Sequence, residues 1–364
     1  MFRQLFVITF LSILTFDLQK AAAQEQPTLK AGVILSMSGG LEQWCGYIRQ
    51  GIELAAGEPS PVGMQIVFED DRSVDKKAAL SAAQKLLHVD KVDLLVSWTA
   101  STEPVLGPAA TSARTPLLVG AYDRNVAAGG PYVFGAFVNY DLVSREIVRF
   151  FVQKKGARKL GLVMAADDWS QNFEAPFRDE AQKLGASVLF SEVIAANERD
   201  TRSLFLKMRA RNVDAVLAPL YSGSLYSFLK TAQEMHFPGL IHAGDGMFEE
   251  DLNVLGSNAE GVYANQIWLM SEKLSADFKK KFGTDTNALQ IGLVASGYDW
   301  VKHVQSTAAR LLKDGKSITR ENLKGALRTF QSDGYLGKQM YGGPPAQSGE
   351  VIMTVKKGRF VLEQ

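Results

Sequence analysis

One cysteine, Cys45, stands in 364 residues, so no disulfide can form within the chain. The four histidines, His88, His236, His242 and His303, are scattered without metal-ligand spacing, and neither Cys-x-x-Cys nor His-Glu-x-x-His occurs. Charge of one sign is missing as well. Forty basic against 39 acidic residues leave a net +1, no field to draw the chain to nucleic acid or to an anionic membrane. No Gly-x-Ser-x-Gly elbow is there to activate a serine, since Ser222-Gly223-Ser224 lacks the flanking pattern. These absences argue against an enzyme and against a cofactor or metal, and leave a small molecule as the expected partner.

The chain opens MFRQLFVITFLSILTFDLQKAAAQEQP. Arg3 gives a positive start, Leu5 to Phe16 an apolar run too short to span a bilayer comfortably, and Ala21-Ala22-Ala23 a small-residue cleavage site. Together they read as a secretory signal peptide over 1–23, with an uncut membrane anchor as the alternative. Either way the bulk of the protein is expected in the periplasm. Glu42-Gln43-Trp44 before Cys45 is not the small-residue sequence of a lipid-anchor site, so a free protein is the simplest outcome.

What is present is ordinary globular composition, 46% hydrophobic and 22% charged, in a chain long enough for two cores. Short apolar runs rich in branched residues recur: LKAGVILS, MQIVFED, VDLLVSW, TPLLVGA, KLGLVMA, SVLFSEV, VDAVLAPL. Between them lie stretches of helical period. In DKKAALSAAQKLLHVD, Ala79, Ala82, Ala83 and Leu86 fall on one helix face. Strands apolar throughout and separated by amphipathic helices imply parallel sheets covered on both faces, a doubly wound α/β fold. The rhythm runs to about Tyr140 and restarts at Leu142, predicting two similar lobes. Long helices are expected over roughly 272–283, 288–313 and 318–331, then a YGGPP turn and a closing hairpin, EVIMTV with GRFVLE.

In open α/β sheets ligands bind beyond the carboxyl ends of strands. Those ends here carry Ser36 to Trp44, Ser97 to Pro104 with Ser101 or Thr102 as helix caps, Gly120 to Asn125, Asp167 to Ser170, Leu220 to Gly223 and Gly244 to Gly246. Hydroxyls, aromatics and acids gather there, which is what a cleft between two lobes needs. Asp70-Asp71, after MQIVFE, read better as acids that shape a loop than as a catalytic pair. Cys45 is nucleophilic only with a base beside it, and the sequence places none.

The stretches LKAGVILSMSGGLEQWCGYIRQGIELA, VFEDDRSVDKKAALSAAQKLLHVDKVDLLVSWTASTEP, PYVFGAF, LGLVMAADDWSQNFEAPFRDEAQKLGA, HAGDGMFEEDL and AEGVYANQIW closely resemble the branched-chain amino acid (leucine/isoleucine/valine) binding proteins, type I periplasmic solute receptors of ABC transporters. The likeness runs in order from Thr28 to Phe360. It implies two lobes closing on a solute about a hinge, with 28–140 plus 270–340 as the N-terminal lobe and 141–269 plus 341–364 as the C-terminal lobe. It also implies a monomer that hands its amino acid, amide or aromatic ligand to membrane permease subunits. The same fold serves as a sensor in signalling systems, the alternative role. Carried over by position, Trp44 lies in the first loop, the Thr99 hydroxyl and the Ala121 backbone hold a ligand carboxylate, Trp169 and Tyr221 come from the second lobe, and Asp245 receives an ammonium. Asp123 departs from the family pattern, which has a threonine near the carboxylate, and an ionised aspartate there repels such a ligand unless Arg124 neutralises it. The turn at 36–44 is expected to form one wall of the cleft, its glycines admitting the ligand to the backbone.

Overall fold

The computed structural model describes residues 26–195, 197–266, 272–283, 288–341 and 350–363. The signal-peptide reading and most of the YGGPP turn therefore lie outside the described residues. Five strands, β1 (Thr28–Leu35), β2 (Gly63–Asp70), β3 (Leu94–Ser97), β4 (Leu117–Tyr122) and β5 (Val133–Asn139), form a parallel sheet in the order β2-β1-β3-β4-β5. Next come β6 (Lys159–Ala165), β7 (Ser187–Ile194), β8 (Ala215–Leu217), β9 (Leu240–His242) and β10 (Tyr263–Gln266), which pair in parallel in the order β7-β6-β8-β9-β10. That is the strand order of the first sheet repeated, so the two rhythms of the sequence are two lobes of one doubly wound pattern.

The central strands are apolar throughout because helices cover both faces. Along β1 the residues from Ala31 to Leu35 are all buried, and β3 and β8 are buried along their whole length. After β10 the chain returns to the first lobe. Helices Glu272–Phe282, Ala288–Lys313 and Arg320–Leu327 match the long helices read from the sequence, the last shorter at both ends. Helix Ala288–Lys313 packs along helix Glu42–Ala56, where Gly51 and Gly297 let the two backbones approach. Arg320 donates to the carbonyls of Val92 and Ala113, fixing the last helix to the first lobe. A small hairpin, β11 (Ser332–Gly334) with β12 (Gly337–Gln339), follows. Then β13 (Val351–Lys356) and β14 (Arg359–Leu362) add antiparallel to β10 at the edge of the second sheet, giving the expected closing hairpin.

Asp70 and Asp71 shape a loop. Asp70 accepts from the Met37 N–H at 2.9 Å, the Ser38 hydroxyl at 2.7 Å and the Arg72 N–H at 2.8 Å, while buried Asp71 accepts from the Ser36 hydroxyl at 2.5 Å. These bonds hold the end of β1 against the end of β2 and set the start of helix Glu42–Ala56.

Candidate functional site

The carboxyl ends of the two sheets face each other and enclose a cavity of about 110 Å³. From the first lobe come Leu41, Trp44, Cys45 and Ile48 on one side of helix Glu42–Ala56, Trp98 to Ser101 after β3, and Ala121 in β4. The opposite wall is Trp169, Tyr221, Asp245, Gly246 and Phe248, with Tyr140 where the chain first crosses between lobes. The structure thus brings Trp44, Thr99, Ala121, Trp169, Tyr221 and Asp245 to one space. The turn before Trp44 contributes less than expected, because the wall begins at Leu41. Gly39 instead adopts φ +83° with Ser73 packed against it, a turn requirement and not an opening to the cavity.

The aromatic lining is packed. Trp44 meets Phe248 across the lobes edge-on, with centroids 4.5 Å apart, and Trp169 lies 4.9 Å from Tyr221. Trp98 lies against Gly120, where a Cβ would sit 2.7 Å from the indole ring, so this tryptophan both packs and lines. A Cβ at Gly246 would likewise come within 2.9 Å of Trp169.

Asp245 is the charged centre. The Tyr140 hydroxyl donates to its Oδ2 at 2.7 Å, while Oδ1 has no protein partner. Burial pushes its carboxyl up to about 6, against the opposing pull of the Tyr140 hydroxyl and the Trp169 indole N–H. Thr99 Oγ1 is likewise buried without a protein partner. Two orphaned polar atoms in one enclosed space mark groups arranged for something other than the protein. Tyr140 was not singled out from sequence. It begins the helix after PYVFGAFVN, and the ends-of-strands rule applied to β5 would have found it.

Asp123 is a correction. It does not line the cavity but caps the short helix Arg124–Ala127, Oδ1 accepting from the N–H groups of Asn125 at 2.6 Å and Val126 at 2.9 Å. Its Oδ2 accepts from Asn172 of the other lobe. Arg124 pairs with Asp141 at 3.3 Å and Asp179 at 3.6 Å, not with Asp123. The repulsion expected between Asp123 and a ligand carboxylate therefore has no geometric basis. Thr102 is a smaller correction, since its hydroxyl donates to the Thr99 carbonyl at 2.9 Å and makes no cap bond. Burial pushes the Cys45 thiol up to about 12, which leaves no thiolate at neutral pH.

Polar contacts also cross between the lobes beside the cavity. Lys76 pairs with Asp168, and Asn125 donates to Asn172 at 2.9 Å. Both contacts join the first lobe to the short helix Asp168–Gln171, which carries Trp169, and its C-cap Asn172.

Removing the Tyr140 hydroxyl takes away a donor that favours ionised Asp245. In Tyr140→Phe, the pH below which ligand affinity falls off is expected to move upward, read by titration calorimetry at a series of pH values. An unchanged pH profile would mean that this hydrogen bond does not tune Asp245.

A family model described as periplasmic binding protein matches residues 28–358. The Leu/Ile/Val-binding protein of Citrobacter freundii is 21% identical over 252 residues, which are 64% of this chain. The match spans 66% of that relative, just under two thirds of its length. Among solved structures, a leucine-binding protein from Thermotoga maritima MSB8 superposes with TM-score 0.75 at 21% identity, covering 92% of this chain and 98% of that one. An ABC-transporter solute-binding protein from R. palustris, in complex with benzoate, gives 0.74 at 16% identity, covering 92% and 95%. At such identities the structural likeness speaks for the fold alone.

Proposed function

The chain belongs to the periplasmic binding protein family, and we propose that it is a solute receptor that captures a small ligand by lobe closure and delivers it to the membrane subunits of an ABC importer. The observation that carries this reading is the enclosed cavity walled by both lobes, with Asp245 Oδ1 and Thr99 Oγ1 left without protein partners inside it. The lobes, 28–140 plus 270–340 and 141–269 plus 341–364, move against each other about the segments that join them. The Lys76–Asp168 and Asn125–Asn172 contacts, which cross between the lobes, support this motion as the place where opening would part them. The protein works in the periplasm, carried there by its N-terminal segment, and it binds and releases its ligand without covalent chemistry.

The test begins with protein stripped of carried solute by unfolding and refolding, then screened by thermal shift against amino acids, amides, amines, aromatic acids and sugars. A ligand at about a hundred times its Kd stabilises the folded state by roughly 2.7 kcal/mol, which moves the melting point by several degrees. For the ligand so found, Trp44→Ala is expected to weaken binding by roughly 2 kcal/mol, about 30-fold, because it removes both a wall and the cross-lobe contact with Phe248. Unchanged affinity in that variant would sink the assignment of this cavity.

A further inference from the structure

We propose that the solute is a small organic cation without a carboxylate group, and that Glu103 is the residue that bars carboxylates; the inference rests on the receptor reading above. Two hydrogen-bond donors of the wall, the Ala121 N–H and the Tyr140 hydroxyl, are already committed, while the Thr99 hydroxyl keeps no protein partner. Glu103, fully buried at the start of helix Glu103–Ser112, reaches under β4 so that its Oε1 accepts from the Gly120 N–H at 3.1 Å and the Ala121 N–H at 3.3 Å. Ala121 lines the cavity, so the backbone donor at that point is engaged by a carboxyl group of the protein itself. The Tyr140 hydroxyl serves Asp245.

Among the described residues no lysine, arginine or histidine lines the space, and Asp245 is the lining residue with a carboxylic acid side chain. An anionic group entering here would lose its water, face Asp245 and find no cation. A cation meets the opposite arrangement. Asp245 Oδ1 is free to accept, and the faces and edges of Trp44, Trp98, Trp169, Tyr221 and Phe248 surround it. Aromatic walls with one carboxylate are the chemistry that recognises alkylated or primary ammonium groups.

Matched pairs test this. Isoamylamine against leucine, phenethylamine against phenylalanine and benzylamine against benzoate are titrated by calorimetry into stripped protein at pH 8. The proposal expects at least one amine to bind 100-fold or more tightly than its carboxylate-bearing partner. It is overturned if a carboxylate-bearing solute binds as well as its matched amine, or if no amine binds. The receptor reading is judged separately, by mass spectrometry of the solute released when natively purified protein is unfolded. Recovery of an amino acid or an organic acid keeps the receptor and rejects the cation. The role of Glu103 has its own variants. Glu103→Ala, which frees the two N–H groups, is expected to gain at least tenfold in affinity for leucine or benzoate. Glu103→Gln keeps an acceptor and is expected to retain the wild-type preference. Equal discrimination in all three proteins removes Glu103 from the account, and the matched pairs in wild type stand as a test whether or not Glu103→Ala folds.

Discussion

Asp245→Asn is expected to weaken binding of an amine-bearing solute by about 3 kcal/mol, more than 100-fold in Kd, and at the same time to raise the melting temperature of the unliganded protein at pH 8. Both effects follow from one buried carboxylate. Without ligand it is held by Tyr140 and Trp169 but keeps Oδ1 unpartnered, so its charge is poorly compensated and its carboxyl rises from an ordinary 3.8 to about 6. A carboxyl that is harder to ionise in the folded state binds its proton more tightly there than in the unfolded chain. Folded stability from this group is therefore highest below pH 3.8, falls as pH rises towards about 6, and stays low above it. Asparagine keeps an acceptor for Tyr140 and removes the charge, so the variant gains at pH 8 and gains little at pH 4. A melting difference equal at the two pH values would show that Asp245 carries no such strain. On the ligand side, an ammonium needs the ionised carboxylate, so wild-type affinity is expected to fall as pH drops below about 6. The groups facing Asp245 do not reverse that sign. Tyr140 and Tyr221 are held neutral by burial, and burial with the nearby Asp245 charge pushes the Glu350 carboxyl well above its usual range.

Much of this architecture is legible in the sequence because the strands that make it are buried on both faces and read as unbroken apolar runs. LKAGVIL and VDLLVS have no other stable place to go. The ends of those strands also gave most of the site, since ligand-facing loops in a doubly wound sheet must lie there. What failed was the assignment of individual polar groups. Asp123 looked ligand-facing, but an aspartate two residues before free helical N–H groups satisfies them itself, and only the backbone conformation decides which happens. Glu103 drew no notice beside Ser101 and Thr102, because its action lies across the sheet on Gly120 and Ala121 and leaves no local pattern. Tyr140 was hidden for a similar reason, as its partner is more than a hundred positions away.

The largest effect on stability is expected from a pair of glycines remote from any charge. Helices Glu42–Ala56 and Ala288–Lys313 cross with Gly51 and Gly297 facing the partner backbone. A Cβ at Gly51 would lie 1.9 Å from the Val294 carbonyl oxygen, and one at Gly297 would lie 2.2 Å from that of Ile48. Real Cβ atoms do not approach so closely, and a helical carbonyl cannot turn aside without giving up its own hydrogen bond, so the helices must separate. Alanine in a helix gains up to about 1 kcal/mol over glycine, but overpacking against an immovable neighbour costs typically 1–3 kcal/mol or more. Two backbones forced apart belong at the top of that range. Gly297→Ala is therefore expected to destabilise by about 3 kcal/mol in denaturant melts. Gly46→Ala supplies the contrast in the facing helix Glu42–Ala56, since nothing lies within 4 Å of its added methyl; it is expected to be neutral or stabilising by up to about 1 kcal/mol. The consequence reaches the site, because helix Glu42–Ala56 also carries Trp44 and Ile48 to the cavity wall. Displacing it should lower ligand affinity in Gly297→Ala even where the variant is fully folded. A variant as stable as wild type, with unchanged affinity, would show that the two helices do not depend on this close approach.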